Sequence, residues 1–247
     1  MKVLLVGESW TTFSTHVKGF DTFTTSVYEE GGTEFIKAVR SHGDELDFMP
    51  NHLAPTEFPT TLEQLSGYDA VVLSDIGANT LLLPPAVFVG QQRFPNRLKL
   101  LEQWVISGGN LMMVGGYLSF QGIEGKANYH NSPIEQLLPV TMQTGDDRVE
   151  SPEGLHPKVE NNEFFTGIDD EWPCILGYQS VRPKDDSDLI LSVEETGDPL
   201  LVVGRYGQGR TAAFTSDMGP HWLSAEFMGW KHYPALWNAI LTWMTQR

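Results

Sequence analysis

Short β-rich apolar runs that alternate with helix-patterned segments are the feature of this chain that most restricts its fold. Val3 to Val6, Leu46 to Met49 and Ala70 to Ser74 are the apolar runs, and Thr33 to Ser41 carries the helical pattern between the first two. A strand, helix, strand rhythm of this kind builds a parallel sheet. The run "AVVLS" at 70–74 is apolar up to its last residue, as a strand is when helices cover both faces of its sheet. In "NRLKLLEQWVIS", residues 96–107, Leu98, Leu101, Trp104 and Val105 fall at helical spacing. Asn96 can cap the start, and Gly108-Gly109 can end the helix through a left-handed turn. The strand "LMMV" at 111–114 follows at once.

Parallel topology places Gly7-Glu8, Asp75 and Gly115-Gly116-Tyr117 just past strand C-termini, the edge at which open α/β sheets bind ligands. From about residue 125 the rhythm gives way to acidic, proline-bearing stretches read as loops. Regular structure returns at Leu189 to Val193, in a hairpin "PLLVVGRYGQGRTAAFTSD" turning at Gly207-Gln208-Gly209, and in a last helix over 233–245 with Leu236, Ile240 and Trp243 on one face. No repeat or low-complexity linker divides the chain. Residues 1–247 therefore read as one α/β domain with loop insertions and a C-terminal hairpin.

Charge limits the partners. Sixteen Lys and Arg against 32 Asp and Glu give a net charge of −16, and no basic patch interrupts it, so nucleic-acid backbones and anionic membranes are repelled. A single cysteine, Cys174, precludes an intramolecular disulfide and fits a reducing compartment. The opening "MKVLLVGESW" is too short in apolar residues for a signal-peptide core or a membrane span, so a cytoplasmic protein is expected. Homo-oligomerisation is compatible with this composition.

Six segments together carry a resemblance: "GESW" at 7–10, "HVKGFD" at 16–21, "LSDIGANT" at 73–80, "GGYLSFQGIEGKANYH" at 115–130, "DDRVESPEG" at 146–154 and "SDMGPHW" at 216–222. With them the chain resembles the class I glutamine amidotransferase-like superfamily, most closely a divergent branch of cytoplasmic proteins, over nearly its whole length. The resemblance implies a flavodoxin-like three-layer sandwich with a mostly parallel central sheet. Active members use a G-x-C-x-G nucleophile elbow whose cysteine forms a thioester with glutamine. Laid on that pattern, this chain has Gly115-Gly116-Tyr117-Leu118-Ser119, with Tyr117 at the nucleophile position and no His-x-Glu base. A phenol with a pKa of about 10 is a poor acyl acceptor beside a thiolate, which speaks against glutaminase chemistry. Cys174, in "EWPCILGY", has no elbow around it and reads as a structural thiol.

The candidate site residues each have two readings. Tyr117 either hydrogen-bonds a ligand, with Gly115, Gly116, Ser119 and Gln121 beside it, or fills a vacated pocket. Glu8 and Asp75 either bind a ligand at the sheet edge or cap neighbouring turns. His16, His130 and His221 are placed in loops, and His221 stands out because Asp217 lies four residues before it. Asp217 and His221 could orient a proton carrier, or hold a divalent metal whose shell Glu8 or Asp75 completes. Arg148, in "DDRVE", either recognises an anion bidentately or belongs to a solvated run of local ion pairs.

Three functions follow: a protein without glutaminase activity that binds a small polar ligand, a hydrolase of changed chemistry built on carboxylates and His221 with or without metal, or a structural or regulatory subunit. If the elbow persists, Tyr117 should have φ above zero between a strand and a following helix, with its hydroxyl in a cleft shared with Glu8, Asp75 or His221.

Overall fold

The computed structural model describes residues 1–168 and 171–246. Strand β1 (Lys2–Gly7) leads into a two-stranded ribbon, β2 (Ser9–Lys18) and β3 (Asp21–Glu30), before helix α1 (Thr33–Ser41) and strand β4 (Glu45–Met49). Two single turns, α2 (Ala54–Glu57) and α3 (Leu62–Leu65), precede β5 (Ala70–Ser74). Then α4 (Ala78–Leu82), α5 (Pro85–Phe88) and α6 (Arg97–Ile106) lead to β6 (Leu111–Val114). Helix α7 (Pro133–Leu137) is followed by β7 (Val140–Met142), β8 (Arg148–Leu155), β9 (Pro157–Val159), β10 (Ile175–Gln179), β11 (Val181–Pro183) and β12 (Asp188–Val193). The hairpin β13 (Pro199–Tyr206) and β14 (Gly209–Phe214), the turn α8 (Ala225–Met228) and helix α9 (Tyr233–Thr245) close the fold.

Eight strands form one sheet in the order β4-β1-β5-β6-β14-β13-β12-β9. Pairing is parallel from β4 through β14 and antiparallel beyond it. Because side chains alternate along a strand, the apolar runs divide between two cores. Leu5, Val72 and Met112 meet Phe35 of α1 and Trp237 and Ile240 of α9, whereas Leu4, Val71 and Met113 meet Leu98 and Leu101 of α6. Helices therefore cover both faces. Helix α6 starts where Asn96 Oδ1 accepts the N–H groups of Leu98 and Lys99, both at 3.1 Å, and gives way at Gly108, φ 111°.

The register positions the site. Gly7 lies opposite Ser74, Ser74 opposite Val114, and Val114 opposite Phe214, so four parallel strands end level.

Three sequence expectations need correction. Residues 9–30 form the β2–β3 ribbon, which their Ser/Thr-rich composition did not announce, and His16 therefore lies on a strand and not in a loop. Arg148 opens strand β8, paired with β10, so the region beyond 125 is less loop-rich than its sequence suggests. In the last hairpin Tyr206 pairs with Gly209, leaving Gly207-Gln208 as the turn.

Candidate active site at the C-terminal edge of the sheet

The level strand ends deliver Glu8, Asp75, Gly115 and Thr215 to one edge. Glu8 and Asp75 are both left-handed, φ 47° and 46°, a strain of about 1–3 kcal/mol apiece for residues with side chains. The preceding Gly7, at φ 109°, is obligatory, since a Cβ there would stand 1.9 Å from the Ser74 carbonyl oxygen. Glu8 N–H donates to Ser74 O at 2.9 Å, and the Ser74 hydroxyl returns a 2.5 Å bond to Glu8 Oε2. Asn51 Nδ2 donates to Ser9 O at 2.7 Å and to Asp75 O at 3.0 Å, tying the exits of β1 and β5 together. Asp75 N–H donates to Ser119 Oγ at 3.0 Å, and Asp75 Oδ1 accepts Leu118 N–H at 2.6 Å. Asp217, three residues past β14, accepts the N–H groups of Met218 at 2.7 Å and Gly219 at 3.1 Å on Oδ1.

Glu8 is 1% exposed and Asp217 3%. Burial pushes the Glu8 carboxyl well above the usual range, the negative charges of Asp217 and Asp75 push it further, and the Ser74 hydroxyl opposes them. Burial and then the charge of Asp75 push Asp217 up to about 8, against the pull of its two backbone N–H partners. Asp75 is also raised by burial, opposed by Leu118 N–H and by His221. The edge thus holds neighbouring acids whose ionisation burial and mutual repulsion oppose, an arrangement typical of functional sites.

His221 is exposed at φ 93°, with its ring 5.2 Å from that of Trp10 and 6.1 Å from that of Tyr117. Tyr117 is not an elbow residue, which corrects the sequence expectation. Positive φ falls on Gly116 before it (142°) and Phe120 after it (51°), and a 3-10 turn at Ile123–Gly125 follows in place of a long helix. The glycines serve another purpose: Gly115 N–H donates to Phe214 O at 2.8 Å and Ser216 O at 2.9 Å, and a Cβ on Gly115 would lie 2.3 Å from Thr215 O. The Tyr117 ring does join His221, but its hydroxyl donates to Glu150 Oε1 at 3.1 Å and not to the buried acids. Burial and the Glu150 carboxylate raise its pKa, weakening it further as a nucleophile.

Internal bonds engage the other candidates. Arg148 forks onto Asp146, Nε to Oδ1 at 3.0 Å and Nη2 to Oδ2 at 2.9 Å, while its guanidinium carbon stands 5.0 Å from the centre of the Tyr117 ring. Gln179 brackets Gly116, accepting its N–H at 3.4 Å and donating to its carbonyl. Gln121 Oε1 accepts His130 N–H at 2.8 Å, and the His130 ring meets Glu135 at 3.1 Å.

The family described as "Putative glutamine amidotransferase" matches residues 2–246. The chain belongs to this glutamine amidotransferase-like family. Two solved structures resemble this amidotransferase-like chain throughout, each covering 100% of both chains. Cytoplasmic Protein STM3548 from Salmonella typhimurium is 44% identical with a TM-score of 0.96, and Cytoplasmic Protein STM1381 from Salmonella typhimurium LT2 is 43% identical with a TM-score of 0.95. A ThuA-like protein from Bacteroides uniformis shares the fold alone, at 14% identity and a TM-score of 0.56 over 97% of this chain and 89% of that one. No curated protein matches the chain.

Within this amidotransferase-like fold the chain's single thiol, Cys174, is half-buried against Gly154, and Tyr117 holds the nucleophile position. Among the described residues no three His, Cys, Asp or Glu side chains are grouped to hold a metal ion. Sequence reasoning missed Asn51, Ser74, Asp147 and Gln179. Buried Asp147 holds the loop after Tyr117 by accepting Gln121 N–H at 3.0 Å and Gly122 N–H at 2.8 Å; its only sequence signal was its place in the acidic run. A separate cleft of about 370 Å³ opens at the other end of the strands, lined by Tyr68, Asp69, Asn110, Gln208 and Arg210.

Proposed function

We propose that this amidotransferase-like protein has no glutaminase activity, belongs to a branch lacking the catalytic cysteine, and binds a small polar ligand at the C-terminal edge of its sheet. The observation that carries this reading is the set of three acids, Glu8, Asp75 and Asp217, all with raised pKa values and two of them on strained backbone. Backbone strain persists only where the surroundings enforce it, and it concentrates at functional sites. Glu8 and Asp217, the two pushed furthest, donate as well as accept hydrogen bonds when protonated. They suit a ligand bearing hydroxyl, amide or amine groups, with Trp10, Tyr117 and His221 as aromatic walls.

The strand order and the helices on both sheet faces support a flavodoxin-like three-layer description. The names of the two Salmonella proteins support a cytoplasmic location, and the net charge of −16 argues against a nucleic-acid partner. A second reading, a hydrolase, is favoured by one observation: an acid with a pKa of about 8, Asp217, shares the edge with His221 and could act as general acid near neutral pH.

A thermal-shift panel of polyols, amino acids and amines tests the binding reading. At least one class should raise the melting temperature of wild type and leave Asp217→Ala unmoved. If no class shifts wild type, the reading fails. Turnover of a hit compound that His221→Ala abolishes would select the hydrolase.

A further inference from the structure

The β2–β3 ribbon stands apart from both cores. Past Trp10 every residue of its two strands is exposed, on both faces, and neither strand pairs with any other. An isolated two-stranded ribbon is at best marginally stable in water, and unpaired outer edges invite a further strand. Proteins usually guard such edges with charge or proline, yet the central stretches "TTFSTHV" (11–17) and "TFTTSVY" (22–28) contain no Asp, Glu, Lys, Arg or Pro. They carry exposed apolar groups instead: Phe13 is 73% exposed, Val17 68%, Phe23 47%, Val27 56% and Tyr28 44%, with Phe20 at the tip fully exposed.

We propose that this ribbon is a dimerisation arm that packs antiparallel, across a two-fold axis, against the same ribbon of a second copy of this chain. The size fits. Phe13, Val17 and Tyr28 share one face of the ribbon and Phe23 and Val27 the other. At about 150–250 Å² per aromatic side chain, the exposed fractions of Phe13 and Tyr28 leave roughly 180–290 Å² of aromatic surface on the first face, to which Val17 and the tip residue Phe20 add. A stable interface takes about 800 Å² from each partner, so this face supplies the apolar centre of one and the backbone pairing of the free edges supplies the rest.

Self-association also fits the arm's geometry. Both outer edges are free, so two arms can extend into one four-stranded ribbon, and a two-fold interface needs only a patch complementary to itself. Ten residues at about 3.3 Å each make an arm about 33 Å long. Antiparallel overlap lays the tip of one arm on the base of the other. Lys18, near the tip, stands 5.5 Å over the Phe23 ring and forms no ion pair among the described residues; it lies on the same face as Glu29 at the base, whose Oε2 accepts Trp10 Nε1–H at 3.1 Å and leaves Oε1 for a cation. In this register each Lys18 approaches the Glu29 of the other copy. The tip, Gly19-Phe20, then covers the base where Ser9 follows Glu8.

Sedimentation velocity on the full chain tests the proposal. Wild type should sediment as a dimer of the 27.6 kDa chain. Phe13→Asp with Val17→Asp should weaken the dimer by about 30-fold or more while leaving the far-UV circular dichroism of the body unchanged, because neither side chain touches a core. Lys18→Glu should also weaken it, and adding Glu29→Lys should restore it. A monomeric wild type, or a dimer indifferent to the Phe13 and Val17 substitutions, overturns the arm; failure of the charge exchange to restore overturns the tip-on-base register.

Discussion

Replacing Asp217 by asparagine should stabilise the protein relative to wild type by an amount that grows with pH. The amide retains an oxygen for the N–H groups of Met218 and Gly219 but cannot ionise. Burial and the charge of Asp75 hold the wild-type carboxyl at a pKa of about 8, against about 3.9 in an unfolded chain. The folded state therefore binds the proton more tightly. Its stabilising contribution is complete below about pH 4 and is lost as pH rises towards 8, at about 1.4 kcal/mol per unit. The full span approaches about 5 kcal/mol if Asp217 titrates alone, and proton sharing with Glu8 spreads the loss over a wider range. Urea unfolding of both proteins, followed by tryptophan fluorescence at several pH values between about 4 and 8, measures the difference. Subtracting one from the other cancels groups common to both, such as Asp147, whose pKa is raised to about 6. A difference that does not change with pH would refute the argument. So would wild type gaining on the variant as pH rises, which requires a depressed pKa.

Ammonia release from glutamine should be at background; release that Tyr117→Phe abolishes would show that the phenol is a nucleophile after all. Gly31→Ala places a Cβ 2.5 Å from Oε1 of Glu8, a carboxyl that the Ser74 hydroxyl anchors through Oε2, and 3.1 Å from the Trp10 ring. A cost of about 1–3 kcal/mol is expected in urea unfolding, and a neutral result would mean the acid edge is looser than described. Asp147→Ala strands the buried N–H groups of Gln121 and Gly122, so a loss of roughly 2–4 kcal/mol is expected, with faster hydrogen exchange in residues 117–125. Filter binding to DNA or RNA near physiological salt should show no submicromolar affinity.

Much of the parallel sheet could be read from the chain because its strands are buried on both faces and so appear as uninterrupted apolar runs, as at Ala70 to Ser74 and Leu111 to Val114. Helix α6 announced itself through the Asn96 cap, and α9 through its apolar face. The same topology places Glu8, Asp75 and Gly115-Gly116-Tyr117 at one edge from the sequence alone, and Asp217 stands out there through its spacing to His221. What escaped has physical reasons. The arm at 9–30 has no buried side to impress an alternating pattern on its sequence. The pair Gly115-Gly116 suggested an elbow, but Gly115 serves the close approach of β14, and that need leaves no distinct trace in the residue type. Asp147 and Gln179 act through contacts to backbone remote in sequence, which one chain cannot reveal.

The most direct measurement is a crystal structure of the protein with the compound that gives the largest thermal shift. The account predicts density within hydrogen-bonding distance of Glu8, Asp75 or Asp217, flanked by Trp10 and His221. Density in the opposite cleft beside Tyr68, Asn110 and Arg210, with the acid edge unaltered, would contradict it.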